Sequence, residues 1–123
     1  MGVKDIYVTK VFISEAVVAS GNSTSSAIDL GNQATDGYFS LQVTLTGDGT
    51  AKFEYLLSNN GADYLEPSTA VDIATGHVKT SGPGSDGKDI YWFEPEQARW
   101  MKIKVTETGT ASAITVSAWL AVS

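Results

Sequence analysis

Between residues 39 and 58 apolar side chains take every second place along the chain. Phe39, Leu41, Val43 and Leu45 alternate with Ser40, Gln42, Thr44 and Thr46. After Gly47-Asp48-Gly49, Ala51, Phe53, Tyr55 and Leu57 alternate with Lys52, Glu54 and Ser58, with Leu56 as the exception. A period of two is that of a strand with one face in a core. The short loop, with Gly49 available for the left-handed position, predicts a bulge-closed hairpin that pairs Thr46 with Thr50. That register sets Val43 opposite Phe53 and Leu41 opposite Tyr55 on the core face. Thr44 then meets Lys52, and Gln42 meets Glu54, on the outer one.

The same pattern returns at the C-terminal end. Met101, Ile103 and Val105 face inward on one strand, and Ile114, Val116, Ala118, Leu120 and Val122 on the next. A two-residue loop at Gly109-Thr110 suits a type II′ turn and pairs Thr108 with Ala111. Counting back places Trp100 across from Trp119, on a face that otherwise carries Lys102, Lys104, Thr115 and Ser117. Large apolar rings on a polar face call for a cover, so Trp100, Trp119, Lys102 and Lys104 are the expected interface residues.

Further strands are expected at about 5–18, 25–30, 71–80 and 88–93, with a turn at Asn59-Asn60-Gly61 and one helical turn at Glu94–Ala98, limited by Pro95. About eight antiparallel strands joined by short turns predict an all-β fold. We expect a single β-sandwich domain over 1–123, jelly-roll-like, with residues 1–36 forming an arm and the first strands.

Composition narrows the function more than the fold. With no cysteine, thiolate metal sites, thiol nucleophiles and disulfides are excluded. A net charge of −6 disfavours nucleic acid and anionic membrane as partners. Lys4, Asp5, Lys10 and Glu15 interrupt the N-terminal apolar residues, so neither a signal peptide nor a membrane span is expected there. Met1-Gly2 resembles the start of a myristoylation signal, but Ile6 fills the position where Ser or Thr is wanted.

Gly82-Pro83-Gly84-Ser85-Asp86-Gly87 fits the spacing G-x-G-x-x-G. A dinucleotide fingerprint needs a helix opening at the glycines, whereas here they run into the strand-like Lys88–Phe93. The stretch reads as a connection between strands, and no cofactor is expected. Asp72, Asp86 and Asp89 lack the spacing of a cation loop, so no metal is expected either. His77, the one histidine, reads as an exposed turn residue, and no G-x-S-x-G elbow presents a serine to it. Nothing in the spacing of Glu54, Glu66, Glu94 and Glu96 sets two of them face to face as a glycosidase pair. We expect a non-enzyme with no catalytic residues. Tyr91, Trp92, Phe93, Trp100 and Trp119 leave three roles open: core residues, stacking platforms for sugar rings, or anchors of a protein interface. Lys102 and Lys104 alone make a weak case for nucleic acid.

Three segments carry a resemblance: "GYFSLQVTLTGDGTAKFEYLLSNNGADYLEP", "VDIATG" and "FEPEQARWMKIKVTETGTASAITVSAWL". With their Gly-turned hairpin, S-N-x-G-x-x-Y step and P-x-x-A-R-W-M-K-I strand, residues 37–122 resemble small β-sandwich structural proteins of tailed bacteriophages. The resemblance implies a non-enzymatic virion protein assembled in the host cytoplasm, most simply a head decoration (cement) protein, next a tail or adaptor protein. It also implies a capsid or tail protein as partner, and a homo-oligomer. A carbohydrate- or receptor-binding sandwich shares the same step and is the alternative, with a glycan as its ligand.

Overall fold

In the computed structural model residues 6–123 are described, so Met1-Gly2, Lys4 and Asp5 lie outside the described residues. The strands are β1 (Tyr7–Val17), β2 (Asn22–Thr24), β3 (Ile28–Asp29), β4 (Phe39–Gly47), β5 (Ala51–Ser58), β6 (Ala74–His77), β7 (Lys88–Phe93), β8 (Trp100–Glu107) and β9 (Ile114–Val122). Among the described residues there is no helix. Two antiparallel sheets face each other. One is four-stranded, in the order β1-β9-β4-β7; the other runs β2-β8-β5-β6, with β3 also on β8. The all-β sandwich expected from the alternation is the fold.

The alternation also gives the inward phase correctly. Leu41, Val43, Phe53, Met101, Ile103, Val105, Val116, Ala118 and Leu120 are fully buried between the sheets. Such burial, at about 25 cal/mol per Å² of apolar surface, is the main stabilising term of the sandwich.

The lateral neighbours are not those of the two expected hairpins. Val43 pairs with Ala118 and Asp89, while Phe53 pairs with Val105, because β4 and β5 belong to different sheets. β8 and β9 are likewise separated. Trp100 lies beside Ser58 and Asp29, and Trp119 beside Lys10 and Gln42, so the two tryptophans are on opposite outer faces. The loops at 47–49 and 109–110 are arches that carry the chain from one sheet to the other. The residues in left-handed conformation are Gly47 (φ +98°) and Thr110 (φ +69°), not Gly49 and Gly109. The connections at this end are pressed backbone to backbone. A Cβ on Gly47 would stand 2.7 Å from the Ala113 carbonyl oxygen, and one on Gly49 2.5 Å from that of Ser112.

Glu107 holds this end together. It continues the inward parity of Met101, Ile103 and Val105, yet it is a carboxylate and only 1% exposed. Its Oε1 accepts from the backbone N–H of Ser20 (3.0 Å) and Thr110 (2.8 Å), its Oε2 from those of Thr50 (2.8 Å) and Gly109 (2.6 Å). Three separate connections thus converge on one side chain. Donors from Ser20 and Thr50, then Gly109 and Thr110, outweigh burial and hold the carboxyl down at about 2.

At the opposite end, residues 94–98 form no helical turn. Side-chain bonds fix them instead: Glu96 accepts from the Tyr55 hydroxyl (2.6 Å) and from Thr69. Burial and then the Glu96 carboxylate push the Tyr55 hydroxyl up to about 12.

Candidate interaction surface

The glycines of 82–87 serve close backbone packing. A Cβ on Gly82 would lie 2.0 Å from the Lys88 carbonyl oxygen, and one on Gly87 2.4 Å from that of Leu45. The Gly87 carbonyl accepts from Leu45 N–H (3.0 Å) and from His77 Nε2 (2.9 Å). The glycines lead into β7 with no helix behind them, so the dipole that a phosphate loop requires is missing.

His77 is not the exposed turn residue expected; it ends β6 and is buried. A carbonyl only accepts, so Nε2 carries the hydrogen that Gly87 receives. In the neutral ring Nδ1 then accepts from the Tyr91 hydroxyl, 2.7 Å away. Burial, then the charge of Asp89, raise that hydroxyl above its ordinary value. With both nitrogens engaged, His77 is a tie between β6, β7 and the Gly-rich loop rather than a base for a serine.

Asp86 and Asp89 each accept from a nearby backbone N–H, of Lys88 (3.2 Å) and Ile90 (2.8 Å). Asp72 gathers with Glu54 and Glu66 instead, their carboxylate oxygens within 4.8 Å of one another. Lys52 Nζ, 3.4 Å from Glu54, gives that cluster a cation of the chain's own.

Three of the expected interface residues share the outer face of the sheet containing β5 and β8. Loops of the same chain cover much of it. Gly61 sits over the Trp100 ring, close enough that a Cβ there would touch it at 3.6 Å. Arg99 lies 5.1 Å from the Trp100 ring centre while it pairs with Asp29 through both carboxylate oxygens (2.8 and 3.2 Å). Each of these charges favours the other, lowering the Asp29 pKa and raising that of Arg99. Lys102 Nζ stands 4.2 Å from the Tyr64 ring centre. Lys104 lies between Thr24 and Glu54 on the neighbouring strands.

Trp119 belongs to the outer face of the four-stranded sheet, where the register aligns two rows. One runs Val8, Ala121, Ser40, Trp92; the other runs Lys10, Trp119, Gln42, Ile90. Trp92 is 64% exposed, Ile90 60% and Val8 58%. Ile6, Tyr38, Trp92 and Ala121 line a shallow cleft of about 180 Å³ at the end of this face. The sequence left Trp92 open because β7 is apolar at both parities: Tyr91 and Phe93 point inward, Ile90 and Trp92 outward. No residue type in that run separates the two.

No family model matches the chain, and no curated protein matches it in sequence. Solved structures do match in fold. The chain is similar to infectious bursal disease virus VP2 from a subviral particle, with a TM-score of 0.55 and 11% identity, covering 95% of this chain and 32% of that one. A structure of the Gx strain of the same virus gives 0.50 and 9%, over 96% and 32%. The SPBc2 prophage-derived protein YomS gives 0.47 and 9%, over 98% and 96%. The chain spans about a third of the length of the viral chains it matches. The likeness is one of fold: a sandwich of antiparallel sheets like that of a viral capsid protein.

Proposed function

We propose that the protein is a non-enzymatic structural component of a virion and, within that class, a decoration (cement) protein on a tailed-phage head. The observation that carries this reading is the order of strands. With β2 and β3 sharing one place on β8, the chain alternates between sheets at each connection except that from β5 to β6. That is the alternation of a jelly roll, an architecture recurrent in viral capsids. The VP2 chain with the similar fold is that of a subviral particle, which supports the same reading. Its partner on this reading is a capsid protein, and it joins the virion in the host cytoplasm as one folded domain. The test is mass spectrometry and immunogold labelling of gradient-purified particles. We expect many copies per head, and heads lacking the protein should burst at lower temperature. Absence from purified particles overturns the reading, and label confined to tails replaces decoration with a tail or adaptor role.

One observation favours a second reading, carbohydrate binding: the exposed Trp92 ring beside Tyr38 in the shallow cleft. On that reading a glycan array gives hits that Trp92→Ala abolishes.

A further inference from the structure

We propose that the outer face of the four-stranded sheet is a self-association surface, and that its occupant is the same face of a second copy of this chain. Both edges of this sheet, and the outer face of the other, are hindered as routes of association. On the β7 edge the Ile90 N–H is already taken by the Asp89 carboxylate at 2.8 Å. The β1 edge is broken by two register shifts, and Ser14 there has a φ of +48°. Such irregularities turn an edge away from strand addition. The outer face of the second sheet is partly roofed by the chain's own loops over Trp100 and Lys102. The face of β1-β9-β4-β7 remains open.

Its size fits a partner of protein dimensions. Four strands about 4.8 Å apart make a platform roughly 15 Å wide. Trp92, Ile90, Val8, Ile6 and Tyr38 are each more than half exposed and lie on it or at its end. Together they offer on the order of 500 Å² of apolar surface. That is close to the apolar share of the roughly 800 Å² each partner buries in a standard interface, and it is the size, roughly 300–600 Å², of the largest apolar patch on a typical monomer, which is often functional.

Charge selects a second copy. Copies with a net charge of −6 repel, so they meet most readily where carboxylates are missing. Among the described residues, none of the thirteen acidic ones falls in the two rows or at the next outward positions, Thr44, Ser117, Thr46 and Thr115. The charges that do point outward here, Lys10 and Lys88, stand on the edge strands β1 and β7. Trp92, Ile90 and Val8 stand on those edge strands too, with the uncharged Ala121, Ser40, Trp119 and Gln42 between them, so the face as a whole is poor in charge, as the buried part of a protein interface is.

This inference concerns the purified chain and does not rest on the virion reading. Sedimentation velocity of the full chain from about 1 to 100 μM should show a concentration-dependent dimer. Trp92→Lys and Ile90→Lys change exposed positions and should each raise the dissociation constant about 100-fold, as replacing a large apolar anchor by a charge does. Val71→Lys, at a still more exposed apolar position elsewhere, should leave the dimer intact. Circular dichroism checks that each variant is folded. A wild-type chain monomeric at 100 μM, or a dimer indifferent to both face variants, overturns the inference. A monomer that still co-purifies with particles refutes it while leaving the virion reading standing. A dimer absent from particles supports it and refutes that reading.

Discussion

Glu107 is the residue on which most of one end depends, because its carboxylate is bonded to backbone from three connections. Those bonds are made to the ionised form, which sets the direction of a pH effect. The folded-state pKa, about 2, lies below the ordinary value of 4.5. The stability it contributes is therefore fully present above about pH 4.5 and lost as the pH falls through about 2. Urea midpoints should fall with acidification across that window. Glu107→Gln should start lower at pH 7 and lose much of this slope, since an amide oxygen accepts fewer of the four bonds and its NH₂ opposes the others. An unchanged slope in the variant would assign the acid sensitivity elsewhere. Glu107 was readable as a clamp in one respect: it occupies the inward parity of β8 immediately before a glycine turn. An acid at a core-facing position must find donors, and the nearest unpaired ones are the amides of loops. His77 carried no comparable signal, because Gly76 and the short β6 around it also suit an exposed turn.

At the scale of elements, alternation settled which side chains face the core and was silent on which strands lie side by side. Phe53 points inward whether its neighbour is β4 in a hairpin or, with an arch carrying the chain to the other sheet, β8, so both readings satisfy the same pattern. The arch depends on loops packing against loops, and that packing is visible only through the glycines. Two of them separate the causes. Gly37 has a φ of +74° with open space where a Cβ would stand, whereas Gly87, at +78°, would drive a Cβ to 2.4 Å from the Leu45 carbonyl oxygen. Gly37→Ala should cost roughly 1 kcal/mol, the strain of a left-handed residue alone. Gly87→Ala should cost about 3 kcal/mol, because the backbone next to His77 and β4 must also move. Equal losses in chemical denaturation would mean that conformation, not close approach, is why glycine stands at 87.

For the molecule as a whole, the partners that matter are distant in sequence. β9 lies between β1 and β4, and β8 joins β2 and β3 to β5. Closing such long loops precedes any reward from pairing, so refolding should take milliseconds to seconds. Stopped-flow tryptophan fluorescence checks this, and completion within about 100 microseconds would contradict it. The four-stranded outer face was half legible: Trp119 was singled out, but its companions Trp92, Ile90 and Val8 come together only once β1, β9, β4 and β7 are set in order. The β1–β9 pair has one more consequence. Tyr7 at the start of β1 stands opposite Val122 at the end of β9, so both outermost strand ends emerge at one pole. Tension applied between them loads the ladder at a single rung and opens it like a zip fastener, rung after rung, instead of shearing all its bonds at once. Against a pull on its two ends this sandwich is mechanically soft, however deep its core.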